Sequence, residues 1–457
     1  MCQSKANGGR RCNGSKSHPA PNDIRSWLTR DSDASARLLE AREKYGPIVT
    51  RIDIPIPERL APLVETMGKC GVPLLVGGTV RDYMKGIEPK DYDFEVHGTS
   101  MDSLARVLRS DGFHVDEVGQ AFGVLKVRVG DDDVDISIPR RDSLEGAGHR
   151  GISVETDQDM GVVEATSRRD YTFNSMMYDP QYGALIDPFH GKQALEQGVL
   201  SRVSEAFGED PLRPLRGVQF AARYNMTFDA ETAAVCRDLS ARAGELPVER
   251  IRGEWGKFYE KGEYPSAGLK ALKDSGWDST IPAFEKINGT AMDLARQNGG
   301  RTVMMAAVAA RDMDDRDARE FMRRTINGDD IARKAYLLSR TRAPESNDRV
   351  TIRRWARDLG RKNLTIEDWV TREKAFATTS PEVDTQVALF IGAAAAREGV
   401  YDERPMNLVS GDDILEVFAD NTPGPWVGAL LKKAEAAQDE SEFLNREDAL
   451  AWLNSQR

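Results

Sequence analysis

Strand-like patterning in this 457-residue chain fades near residue 209, and that boundary restricts the available folds more than any other feature. Before it, "VPLLVGG" (72–78) reads as a buried strand that breaks at paired glycines. "DYDFEVHG" (91–98), "FGVLKVRVG" (122–130) and "DVDISIP" (133–139) alternate as half-buried strands do, and "SMDSLARVLRSDG" (100–112) is a helix with a glycine stop. Beyond it, "RPLRGVQFAARY" (213–224), "AETAAVCRDLSARAG" (230–244), "VERIRGEWGKFYEKG" (248–262) and "SAGLKALKDSG" (266–276) are successive amphipathic helices, and helical patterns continue to Arg457. The expectation is therefore an α+β chain, a small N-terminal mixed α/β domain followed by an all-helical remainder. The first 22 residues, rich in Gly, Ser, Asn and Lys/Arg, read as a disordered basic leader. Residues 23–200 would form the mixed domain, entered through a helix on which Leu60, Leu63, Val64 and Met67 share one face. Residues 201–280 and 281–457 would form two helical parts.

Composition narrows the class. Apolar residues at 40% and charged residues at 30% describe a soluble globular protein, with no run near the roughly 18 apolar residues of a membrane span. Cys2, Cys12, Cys70 and Cys236 lie far apart without a Cys-x-x-Cys pair, which fits reduced thiols and a cytoplasmic protein. All five histidines fall at or before His190, so the C-terminal half has no histidine-based metal site. A net charge of −11 argues against a protein that coats nucleic acid generically, while leaving room for a local basic surface that grips RNA.

The chemistry concentrates in "GGTVRDYMKGIEPKDYDFEVHG" (77–98). Asp91 and Asp93 at i and i+2 on a strand would point to one face and suit a hard cation, magnesium above all. Asp135, on "DVDISIP", is a third acid if its strand pairs nearby. A lone Asp-x-Asp equally suits a solvated strand face. Gly77 and Gly78, lacking Cβ atoms, would let backbone N–H groups approach a phosphate, and a helix starting at "TVRDYMKG" would add its dipole. Arg81 would then pair with phosphate oxygens.

In that order, these elements resemble the first motif of the class II tRNA nucleotidyltransferases and bacterial poly(A) polymerases, carried here by "LLVGGTVRDYMKGIEPKDYDFEV" (74–96). "SRRDYTFNSMMYDP" (167–180) resembles the family's Arg-Arg-Asp-x-Thr-x-Asn-(Ala/Ser)-Met motif, and "LIDPFHGKQALEQGVL" (185–200) its Asp-Pro-(Phe/Tyr)-x-Gly segment. "VSEAFGEDPLRPLRGVQFAARY" (203–224) resembles the Glu-Asp-x-x-Arg helix, with "LPVERIRGEW" (246–255) after it. The likeness spans residues from about 70 to 280.

The resemblance implies a nucleotidyltransferase head with a polymerase beta-like antiparallel sheet, then a helical neck, body and tail. It implies addition or repair of the 3′-terminal CCA of tRNA from CTP and ATP, with Asp91 and Asp93 holding Mg2+ and Asp135 as base or third ligand. Gly77, Gly78 and Arg81 would seat the triphosphate, and Arg169 and Asp170 would face the ribose and triphosphate. Asp210 and Arg213 would read the Watson–Crick edge of the base, with Arg216 supporting the triphosphate. Basic stretches at 321–342 and 351–363 are candidates to hold RNA by its backbone. No membrane and no obligate protein partner is implied. Poly(A) addition and a non-catalytic RNA-binding relative are the alternatives. Residues 141–165, rich in glycine, would be a mobile loop that controls the change from C to A addition.

The chain departs from the family pattern in places. Gln219 replaces an arginine associated with nucleotide contact, Ala165 and Thr166 replace an Asp-Leu pair, and Ala194 stands where an Asp is common. Residues 301–314 loosely resemble the helix that carries the His-Asp pair of the HD phosphohydrolase domain in some relatives, with Arg311 in the histidine's place.

Overall fold

The computed structural model describes residues 42–43, 48–89, 91–116, 123–130, 132–144, 152–377, 385–419 and 422–457, so the expected basic leader lies outside the described residues. Two units are distinguished. One runs to Leu195 and includes Val203–Ala206, and the other comprises Glu196–Arg202 and Phe207–Arg457.

The first unit is built on an eight-stranded sheet. Its strands are β1 (Val49–Arg51), β2 (Val72–Val76), β3 (Phe94–His97), β4 (Val115–Asp116), β5 (Val124–Val129), β6 (Asp132–Ser137), β9 (Met177–Asp179) and β10 (Ala184–Ile186). Their order is β1-β10-β9-β2-β3-β6-β5-β4. Every pairing in it is antiparallel except β3 with β6, where Phe94 lies opposite Ile136 and Glu95 opposite Ser137. All four residues of β3 are buried. The β5–β6 hairpin instead buries Leu125, Val127, Val134 and Ile136 and exposes alternate residues, as a sheet wet on one face requires.

Helix α1 (Ala61–Gly68) buries Leu63, Val64 and Met67, with Leu60 buried in the short turn before it. Helix α2 (Gly78–Met84) leaves β2 directly. Helix α3 (Met101–Ser110) is capped by the Ser100 side chain and buries Met101, Leu104, Ala105 and Leu108, an i, i+3, i+4, i+7 stripe. The segment expected to be a mobile loop is different. Arg140–Leu144 (β7) pairs antiparallel with Ile152–Thr156 (β8), and Val162–Ser167 is helix α4. Residues 145–151 lie outside the described residues.

The "DPFHG" segment owes its sequence to a close approach. Asp187 caps helix α5 (Gly191–Gln197) by accepting from Gly191 N at 2.7 Å and Lys192 N at 3.0 Å. A Cβ on Gly191 would lie 2.2 Å from the Thr172 carbonyl oxygen, which is backbone and cannot swing aside. Two of the recognised motifs thus touch through a missing side chain.

The second unit is helical. Helix α6 (Arg213–Tyr224) is buried almost all round and packs against α8 (Val248–Lys261) and α9 (Pro265–Asp274), while α7 (Ala230–Ser240) follows α6 in the chain. Trp255 of α8 sits 5.1 Å from Phe258, 5.5 Å from Tyr259 and 6.1 Å from Phe321, ring centre to ring centre. Helices α10 (Gly289–Gln297), α11 (Thr302–Ala309), α12 (Asp315–Thr325), α13 (Asp329–Arg340), α14 (Arg349–Gly360), α15 (Ile366–Phe376) and α16 (Thr385–Arg397) follow. The chain finishes with α17 (Gly411–Val417), α18 (Pro425–Asp439) and α19 (Arg446–Ser455) around Ile414, Ala434, Phe443 and Leu453. No helix among the described residues is long and apolar enough to cross a membrane.

Gly191→Ala is expected to destabilise the first unit by about 1–3 kcal/mol, the range of an overpacked core. Gly253→Ala, within α8 and open around its Cα, is expected to leave stability unchanged or raise it by about 0.5–1 kcal/mol. Calorimetric unfolding of the two variants checks the contrast.

Candidate active site in the head

The site assembles where β2, β3 and β6 meet. Asp91 and Asp93 lie not on a strand, as the alternation predicts, but in the extended approach to β3. Two contacts fix that approach. The Asp93 carbonyl accepts from Val76 N at 3.0 Å, and the Thr79 hydroxyl donates to the Asp91 carbonyl at 2.9 Å. Asp93 precedes the Phe94–Ile136 pair by one residue, so the parallel register sets it beside Asp135 of β6. Burial pushes the Asp93 carboxyl above its ordinary pKa, and the charges of Asp135 and Asp91 push it further, against Arg169 and Lys126. The three expected acids therefore gather. Asp91 is exposed, and Asp135 is bound by Lys126 at 3.0 Å.

Among the described residues no three His, Cys, Asp or Glu side chains form a ready-made metal cage. Magnesium does not need one, because it retains waters and takes one or two carboxylates together with substrate phosphates. Asp91 and Asp93 fit that role, since crowded carboxylates gain from a cation between them.

The sequence reading passed over Glu95, although it continues the alternation of Asp91 and Asp93. Its side chain is 1% exposed and meets His97 Nε2 at 3.1 Å, Arg168 Nη2 at 3.4 Å and Arg169 Nη2 at 3.5 Å. Burial pushes its carboxyl up, but the hydrogen bond with His97 and the charges of Arg169 and Arg168 outweigh that and hold it below the ordinary 4.5. Arg169 in turn lies against the turn at Gly77, where a Cβ would stand 3.4 Å from its Nη1. Gly77 has φ +63°, a conformation that favours glycine. Arg169 Nε and Thr172 Oγ1 are buried without a hydrogen-bond partner among the described residues, as donors reserved for an anion would be.

Other predicted contacts differ. Arg81 is 7% exposed; its Nε donates to Asp82 at 2.9 Å and its Nη1 to Asn174 Oδ1 at 2.8 Å. Asn174 Nδ2 then donates to Asp170 Oδ1 at 2.9 Å, and Tyr171 N donates to the same oxygen at 2.8 Å. Arg81 and Asp170 are therefore linked through Asn174. Gly78 is the first residue of a seven-residue helix with ordinary helical backbone.

In the helical unit, Asp210 accepts from Leu212 N at 3.0 Å and from Arg250 Nη2 at 2.8 Å, and Arg250 was not foreseen. The Arg213 guanidinium sits 5.9 Å from the centre of the Phe207 ring, and Arg216 approaches Glu254 at 4.0 Å. Gln219 is buried in α6 rather than set on an exposed arginine face. Several residues of the basic stretches are spent internally. Arg353 and Arg357 both bind buried Asp439, each at 3.0 Å, which removes them from the RNA-gripping candidates. Arg323 and Arg324 share Glu320 and, through hydrogen bonds, draw its pKa down to about 2.

With this geometry in hand, the chain can be set beside known proteins. Residues 74–201 match the family described as "Poly A polymerase head domain". A multifunctional CCA protein of Neisseria gonorrhoeae (strain NCCP11945) is 35% identical over 206 residues, 44% of this chain and 47% of that protein. The chain thus spans about half the length of the curated relatives it matches. Among solved structures, the Bacillus stearothermophilus CCA-adding enzyme in complex with CTP superposes with a TM-score of 0.65 at 19% identity, over 88% of this chain and 98% of that one. The Thermotoga maritima CCA-adding enzyme complexed with tRNA gives 0.56 at 17% identity, over 93% and 98%. Part of the mixed head is thus similar to a poly A polymerase head domain, and the chain shares its fold with these CCA-adding enzymes.

Glu95→Gln would leave the cations around it without their buried counter-charge and is expected to cost about 3 kcal/mol of stability. Because the folded carboxyl titrates below 4.5, its stabilisation is complete above that pH and lost as pH falls through the lower folded value. Melting curves between about pH 5 and pH 3 should therefore fall less steeply for the variant than for the unmodified protein.

Proposed function

We propose that the chain is a template-independent nucleotidyltransferase that adds or repairs the 3′-terminal CCA of tRNA, using CTP and ATP and releasing pyrophosphate. The observation that carries this is the gathering of Asp91, Asp93 and Asp135 beside Arg169 at the Gly77 turn. The relatives' names support the choice of reaction. Asp91 and Asp93 would hold magnesium, which when bound neutralises charge developing on the phosphate in an in-line displacement.

The chain's own residues have separate tasks. Gly77 leaves room for the triphosphate next to Arg169, and Arg169 meets its charge with donors fixed by Glu95. Asp135, half exposed on β6, is the proposed acceptor for the proton of the attacking ribose hydroxyl. Thr79 positions the two metal-binding carboxylates by pinning the backbone between them. Arg81 and Asn174 orient Asp170. From the motif they occupy, Asp210 and Arg213 are proposed to read the base, a carboxylate accepting from the exocyclic amine that cytosine and adenine share. The helical unit is proposed to hold the tRNA by shape and backbone contacts, and the reaction to take place in the cytoplasm.

The test is incorporation on tRNA transcripts ending before CCA, after C and after CC, with magnesium and with CTP and ATP singly and together, followed by sequencing of the 3′ ends. Products that stop at CCA are expected, and Asp91→Asn or Asp93→Asn should lower the rate at least about 10³-fold without unfolding the protein. An unbounded A tail would replace the reading with poly(A) addition. Bound RNA with no incorporation would replace it with a non-catalytic role.

A further inference from the structure

A cavity of about 450 Å3 in the helical unit has no part in nucleotidyl transfer as read above. It opens among the loop after α11, the end of α13, and helices α15 and α16, and its polar lining is dominated by Arg311, Arg340, Arg342 and Arg372. Asp312 and Glu373 are the carboxylates of the lining, so two of its four positive charges stay uncompensated within it. The distribution of hydrogen bonds shows which ones. Arg311 binds Asp312 at 2.9 Å and Glu373 at 3.2 Å, and Arg372 Nε donates to Glu373 at 2.8 Å. Arg340 spends its donors on neutral acceptors, the carbonyls of Met313 at 2.7 Å and Arg311 at 3.0 Å, the Ala310 carbonyl, and Ser339 Oγ at 3.1 Å. It fixes the Arg311 loop in place without losing its charge to a carboxylate. Asp314 and Asp315 act on Arg340 through space but do not line the cavity. Arg342 stands exposed at the edge.

A second observation is independent of charge. Trp369 lines the cavity and is 3% exposed, yet its indole Nε1–H has no acceptor among the described residues. A buried donor left unmade is costly, and a bound oxygen would satisfy it. Burial draws the pKa of Arg372 down; the charge and hydrogen bond of Glu373 oppose this, and the neighbouring charges of Arg311 and Arg340 add to it. The guanidinium fork matches phosphate, and Val387 and Ala388 add an apolar wall for an organic group. The volume lies in the range of small-molecule sites, roughly 300–1,000 Å3, and exceeds what bare phosphate would fill.

We infer that this cavity binds a small phosphate ester of up to mononucleotide size through Arg340, Arg342 and the Trp369 indole N–H. A phosphate of an RNA strand carries the same chemistry from another source, and the test separates the two. In the full-length protein, the Trp369 indole N–H resonance is identified by its loss in Trp369→Phe. It is then followed during titration with inorganic phosphate, AMP and a short single-stranded RNA. AMP should move it saturably with a Kd below about 1 mM and inorganic phosphate more weakly. Arg340→Gln and Arg342→Gln should each weaken AMP at least about tenfold, the loss of one charge-assisted hydrogen bond. Arg342→Gln alters an exposed side chain and keeps the test valid should Arg340→Gln fold poorly. The inference is overturned if neither AMP nor phosphate moves the resonance at about 10 mM, or if a folded variant responds as the unmodified protein does. It is equally overturned if only the RNA moves the resonance.

Discussion

A carboxylate buried at Glu95 has to be answered by positive charge, and much of the head is arranged by that requirement. Leaving such a charge unpaired in the interior costs several kcal/mol. The charges come from Arg168 and Arg169, 73 and 74 residues further along the chain, and His97 on the same strand adds a hydrogen bond. Meeting the charge therefore draws the Arg-Arg-Asp segment onto β3. It also lays Arg169 against the Gly77 turn and next to Asp93. The acids and the cation of the site are held at short range by one interior ion cluster, so little has to reorganise when a charged substrate arrives.

A second network follows the same logic with weaker partners. Arg81, Asn174 and Asp170 satisfy one another in sequence, and the Asp187 cap and the close contact of Gly191 with Thr172 seat the neighbouring segment. Residue types that look as if they were meant for a ligand hold each other instead. Their contribution is to make the position of Arg169 and the acids reproducible, which the proposed phosphoryl transfer needs at sub-ångström precision.

Some of this was legible in the chain. The Asp-x-Asp spacing, the glycine pair and the order of the motifs point to Asp91, Asp93 and Gly77, and the strand alternation of "DVDISIP" makes Asp135 available. Glu95 continues the same alternation, so its direction was readable. Its burial was not, because burial depends on β2 and β6 flanking β3. Arginines show the limit most clearly. Arg353 and Arg357 occur in a stretch as basic as any RNA-binding helix, yet a carboxylate more than 80 residues away, Asp439, takes both. Gln219 stands where the family pattern has an arginine, yet its side chain is buried within α6. The segment after β6 reads as a loop because its glycines dominate, while cross-strand pairing of residues at its two ends makes a hairpin.

By itself the sequence determined the division into a mixed head and helical remainder and the apolar stripes along the helices. These depend on periodicities of two and 3.6 residues and on turn chemistry, all local along the chain. Tertiary structure alone decided which carboxylates meet, which arginines are neutralised, and which are left around the cavity beside Trp369. The reason is physical. A charged side chain takes its energy from partners and solvent within a few ångströms, and strand register and helix packing choose those partners from anywhere in the chain.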